Sequence, residues 1–122
     1  MPPRFPSSIA LPAKGSPRSK RFEAVIDSGA SQCVFHASIG RAIGLDMEKG
    51  QKVMTNGIAG PTALYLHDIS LYVPGGIVPV RAGFSEELPL AGLLGMAGFF
   101  EHFKITFEPT ALCVELERLH RA

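Results

Sequence analysis

The sequence has no tryptophan and only two cysteines, Cys33 and Cys113, in 122 residues. Two thiols set far apart cannot make the disulfide framework of a small secreted domain, so both are expected to be reduced and partly buried. Neither sign of charge is in excess: 12 Lys and Arg stand against 11 Asp and Glu, a net charge of +1. With no long basic run, the electrostatic footprint of a nucleic-acid-binding protein is missing. No apolar run reaches the roughly 18 residues of a membrane span, and the start "MPPRFPSSIALPAKG" lacks the apolar stretch of a signal peptide. These absences lead us to expect a cytoplasmic protein without nucleic-acid or membrane partners. The glycines of "GLLGMAG" do not end in Gly-Lys-Ser/Thr, so they are not a phosphate loop.

What is present fits one globular domain. Hydrophobic residues make up 46% of the chain and charged residues 19%. Residues 1–20 form a Pro/Ser-rich, basic N-terminal segment, in which Phe5 to Leu11 reads as an edge strand, where proline is tolerated. Residues 21–122 read as the domain proper. Lys20 to Ile26 is a strand, "HASIGRAIGLD" a short helix stopped at Gly44, and Gln51 to Asn56 a strand leading into the Gly-rich hairpin tip "NGIAGP". Apolar residues alternate over Ile69–Val73, "PGG" is a turn, and Ile77 to Phe84 returns. Met96 to Phe103 suggests one or two helical turns. Ile105 and Phe107 alternate again, as do Leu112, Val114 and Leu116 in a last strand. Many short strands, two short helices and Gly-rich turns make an all-β domain in outline.

The stretch "EAVIDSGASQC" delivers a carboxylate, Asp27, from the end of an apolar strand into a turn of small residues. Water attack on a peptide bond needs one group to take a proton and another to polarise the carbonyl. Two carboxyls held together do both by sharing one proton, because two like charges so close cannot both ionise. Small neighbours allow two such loops to meet: Gly29 permits close approach, Ala30 adds little bulk, and the Ser28 hydroxyl can brace the loop. The same four residues also read as an Asx-type turn that simply ends a strand.

"AVIDSGAS" resembles the active-site loop of retropepsin-like aspartic proteases, the single-lobed relatives of pepsin. "GLLGMAGFF" resembles that family's second signature, two apolar residues and a glycine leading into a short helix. "NGIAGP" stands between them, in the place of the flap that folds over bound peptide. "FFEHFKITFEPTALCVELE" is similar to the tail of uncharacterised bacterial members. The resemblance runs from about Phe5 to Leu116. It implies an acid-protease fold, a closed barrel with two short helices. It also implies Asp27 as the catalytic aspartate, Ser28, Gly29 and Ala30 as the active-site loop, and Gly57, Ile58, Ala59 and Gly60 as the flap that contacts substrate. Leu94 and Gly95 match the structural signature beneath that loop. Many relatives carry Thr where this chain has Ser28.

Only one Asp-Ser-Gly is present, with no room for a second lobe. The partner aspartate must then come from a second copy of the chain across a two-fold axis. The expected function is that of an aspartic endopeptidase acting on protein or peptide substrates as a homodimer, with no metal and no cofactor. The competing expectation is a catalytically weak or inactive domain of the same fold, used for peptide binding or dimerisation.

Other chemistry-bearing residues read as structural. Cys33 and His36 have neither an orienting acid nor two further zinc ligands at usual spacing. His67 and Asp68 are strand neighbours and face opposite sides. Glu86 and Glu87 cap or solvate a loop, or bind basic substrate residues. Phe99 and Phe100 read as core.

Overall fold

The computed structural model describes residues 4–10, 18–57, 60–73, 76–108 and 113–119. Among them the strands are β1 (Arg4–Ala10), β2 (Phe22–Ile26), β3 (Val34–His36), β4 (Gln51–Gly57), β5 (Gly60–Val73), β6 (Gly76–Ser85), β7 (Gly92–Leu94), β8 (Phe103–Glu108) and β9 (Cys113–Arg118). One short helix, α1 (Ala37–Ala42), follows β3, and 3-10 turns lie at Met47–Lys49 and Phe100–His102. No helix among the described residues is long and apolar enough to cross a membrane.

Seven strands form one sheet in the order β1-β2-β7-β3-β6-β5-β4. β1 straddles two neighbours: Arg4–Ser7 pair with β2, and Ser8–Ala10 pair with β5. Among the described residues the nine strands do not join in the single closed barrel that was expected. β8 and β9 pair, among the described residues, only with each other, as a ribbon of their own, and β4 ends the larger sheet with one partner, β5. The charged and polar β4 residues Gln51, Lys52 and Thr55 are exposed, as suits an open sheet edge.

Period-2 patterning makes the core. Along β6, Val78, Val80, Ala82 and Phe84 are buried while Ile77, Pro79 and Arg81 face solvent. Phe35 lies at the centre, edge-on to Phe22 at 5.8 Å and tilted against Phe84 at 5.9 Å. Gly92, opposite Phe35 in the ladder, leaves room for that ring; a Cβ there would lie 2.7 Å from it.

The helix begins where the His36 Nδ1 accepts the Ser38 N–H at 3.0 Å, an N-cap made by a histidine. It ends before Gly44, whose φ of 87° and N–H bond to the Arg41 carbonyl close the turn. The second expected helix is reduced to the turn at Phe100–His102. Gly98, at φ 97°, turns the backbone out of the helical region, and Phe100 N–H reaches back to the Gly95 carbonyl instead.

β5 is longer than its alternating part. Its second half pairs with β6 and its first half with β4, so no single face stays buried along its length. His67 interrupts the apolar alternation. Its Nε2 bonds the Met47 carbonyl at 3.1 Å and its ring stands edge-on to Phe84. Asp68, on the other face, pairs with Arg81 at 3.2 Å.

Candidate active site

β2 lies between β1 and β7, so Ala24, Val25 and Ile26 are all buried. β7 runs parallel to it, with Val25 opposite Leu93 and Ile26 opposite Leu94. Asp27 adds one more rung, its N–H donating to the Leu94 carbonyl at 3.0 Å. The chain then turns sharply. Gly29 N–H donates to Asp27 Oδ1 at 2.8 Å, and Ala30 N–H to the Asp27 carbonyl at 3.1 Å. The motif forms an Asx turn that fixes one carboxylate oxygen and leaves the group half-exposed. Ser28 and Gly29 are exposed at the tip, and Ala30 is half-buried.

The loop after β7 braces this turn. Met96 N–H donates to the Ala30 carbonyl at 2.9 Å and Ala97 N–H to the Ser31 carbonyl at 3.0 Å, and Gln32 forms a bridge with Ala97. Between these bonds sits Gly95, where a Cβ would fall 2.4 Å from the Gln32 carbonyl oxygen and 2.7 Å from that of Ala30. The apolar-apolar-Gly pattern therefore has a physical origin. Leu94 is fully buried to anchor the strand, and Gly95 lets two backbones touch.

A family model described as aspartyl protease matches residues 13–97, well over half of the chain. The chain belongs to the aspartyl protease family. Among solved structures it is similar to "EIAV protease complexed with the inhibitor HBY-793", with a TM-score of 0.57 and 15% identity over 78% of this chain and 82% of that one. That likeness is one of fold, retropepsin-like. No curated protein matches the sequence.

In this member of the aspartyl protease family the hairpin expected at "NGIAGP" is formed by β4 and β5, which pair from Gln51–Leu66 to Gly57–Gly60. Ile58 and Ala59 lie outside the described residues. The β5–β6 ladder starts only at Tyr65–Phe84, so Gly60–Leu64 project beyond β6 with β4 as their partner. Glu87 ties the hairpin to the loop after β6 by accepting from the Thr62 hydroxyl at 3.4 Å. Glu86 pairs with Arg41 on α1.

Cys33 and His36 do not act together. His36 caps α1, while Cys33 is fully buried with its thiol 3.5 Å from the Ala97 carbonyl. Among the described residues no cluster of three or more His, Cys, Asp or Glu could hold a metal ion. Phe99 is core, stacked on Phe103 at 5.0 Å. Met96, read from the sequence as the start of a helix, carries no sequence signal of its place beside the Asp27 loop. It is an exposed apolar side chain on the rim of the Asp27 loop, and its position follows from Gly95 once that glycine is known to touch the loop.

Burial pushes the Cys33 thiol from its ordinary 9.0 up to about 11; the Gly95 backbone opposes this and the Glu101 charge adds to it. The neutral thiol is thus the form the fold accepts. Below pH 9 it is protonated folded and unfolded, and its contribution is fully present. As the pH rises towards about 11 the unfolded chain gives up its proton first, and stability falls. Wild type should lose about 2 kcal/mol more than Cys33→Ala between pH 8 and pH 11. Denaturant titrations of both proteins at the two pH values measure this directly. Equal losses would mean that the folded protein accepts the thiolate.

Proposed function

We propose that the protein is an aspartic endopeptidase that hydrolyses peptide bonds as a homodimer. The reading is carried by one observation: the sequence has a single Asp-Ser-Gly, and its carboxylate stands half-exposed at a strand end with one oxygen fixed by Gly29 N–H. A lone carboxylate cannot both accept a proton from water and donate one to the carbonyl. Two Asp27 residues facing each other across a two-fold axis can.

The chemistry is then a proton relay. The ionised carboxylate takes a proton from water, whose oxygen attacks the peptide carbon, and the protonated one donates to the carbonyl oxygen. The tetrahedral diol collapses as a proton passes to the leaving nitrogen, and the carbon–nitrogen bond breaks. No metal or cofactor takes part. Ser28, Gly29 and Ala30 keep the loop small enough for its copy to approach. The projecting β4–β5 hairpin, whose strands meet at the Gly57–Gly60 pair, closes over the bound peptide and excludes water. The protein or peptide substrate is met in the cytoplasm.

The test combines association with inhibition. Sedimentation should show a dimer at micromolar concentration, with an interface of roughly 2,000 Å² or more in total. Activity per chain should fall on dilution and be blocked by a statine-type inhibitor, whose hydroxyl needs the aspartate pair. A monomer with undiminished specific activity would refute the two-chain site.

A further inference from the structure

Asp27 stands at one end of β2. At the other end, roughly 16 Å away along the strand, the segment entering β2 and the helix α1 enclose a groove of about 450 Å³. Its floor is apolar: Phe22, Ile39 and Ala42. Phe22 packs edge-on to Phe35 and Ile39 packs against the core, so the floor is anchored. Its rim is basic. Arg18, Lys20 and Arg21 line it, all three exposed, and no carboxylate is among the lining residues. The Arg18 guanidinium lies over the Tyr72 ring at 4.6 Å, which holds one cation in place. Lys20 and Arg21 make no ion pair among the described residues. The net charge of the chain is only +1, so this positive rim is a local feature.

We propose that this groove binds an acidic peptide segment. An apolar side chain of the ligand sits on Phe22, Ile39 and Ala42, and carboxylates on either side of it pair with Lys20 and Arg21. An apolar floor orients and a few charges select, as in most peptide sites. On the endopeptidase reading, the groove selects substrates that carry an acidic stretch remote from the bond being cut.

The experiment uses the full chain as Asp27→Asn, so that no probe is cleaved. Binding of a labelled peptide with a central leucine flanked by glutamates is followed by fluorescence anisotropy, beside its lysine counterpart. The acidic probe should bind saturably and the basic one should not. The pair Lys20→Glu and Arg21→Glu should weaken binding about tenfold or more at low salt. Ala42→Phe, at an exposed position, should weaken it as well by filling the groove without changing charge. The proposal is overturned if both probes bind alike or if charge reversal changes nothing. It is also overturned if Ala42→Phe binds as well as the parent, which would mark diffuse attraction rather than a groove. Displacement of the probe by anionic vesicles or RNA at lower concentrations than unlabelled peptide would assign the basic rim to another anion and overturn it too. Failure of wild type to cut any peptide would remove the endopeptidase reading and leave these binding results standing.

Discussion

Asp27→Asn is expected to abolish peptide hydrolysis while leaving the fold and the association of chains intact. Asparagine is nearly isosteric, and its side-chain oxygen can still accept the Gly29 N–H that aspartate Oδ1 accepts at 2.8 Å. The backbone rung to Leu94 is also unaffected, since it uses the main-chain N–H. What disappears is the shared proton. An amide neither takes a proton from water nor gives one to a carbonyl at any working pH, so turnover should fall by at least about 10³-fold. Melting temperature and sedimentation should barely change, because the residue is half-exposed and its turn is retained. Peptide turnover, thermal melting and sedimentation of the same preparation provide the check. A variant that keeps most of its rate would show that water is activated elsewhere.

The Asp27 loop was legible because its signals are local. A run of three buried residues ends in an acid, the acid bonds its own turn, and the later apolar-apolar-Gly marks where a second backbone lies against it. The helix stop at Gly44 was legible for the same reason, since one glycine at positive φ decides it. Features set by pairing partners were not. β5 carries β4 on one stretch and β6 on another, and only the stretch Ile69–Val73 shows the alternation of a strand with one buried face, so the first half of β5 gave no strand signal. Met96 to Phe103 has the composition of a helix, but Gly98 at positive φ and the bonds of Met96 and Ala97 to the Asp27 loop hold its first half open. Barrel closure is also a long-range property. The sequence marks Ile105, Phe107 and Leu116 as strand residues without saying that β8 and β9 pair with each other and, among the described residues, with no other strand.

Gly95→Ala should be among the most damaging single-methyl changes in this protein. At an open extended site, replacing glycine by alanine stabilises a protein by about 0.4–1 kcal/mol, because the unfolded chain loses freedom. The sign of the effect therefore tests the geometry. At Gly95 the added Cβ would meet the Gln32 and Ala30 carbonyl oxygens at 2.4 Å and 2.7 Å. Both are backbone atoms and cannot rotate away. The two loops must part, which strains the Met96–Ala30 hydrogen bond and the Gln32–Ala97 bridge. Forced overpacking of this kind costs about 3 kcal/mol, or a fall in melting temperature of roughly 15 °C for a domain of this size. Gly29→Ala supplies the contrast. Its nearest contact is Asp27 Oδ1 at 3.1 Å, at the exposed tip of the turn, so its stability cost should be far smaller. Activity should separate the two differently, because Gly29→Ala crowds the carboxylate while Gly95→Ala displaces the loop that carries it. If Gly95→Ala melts at or above wild type, the loops do not meet at Gly95, and the apolar-apolar-Gly signature here has some other cause.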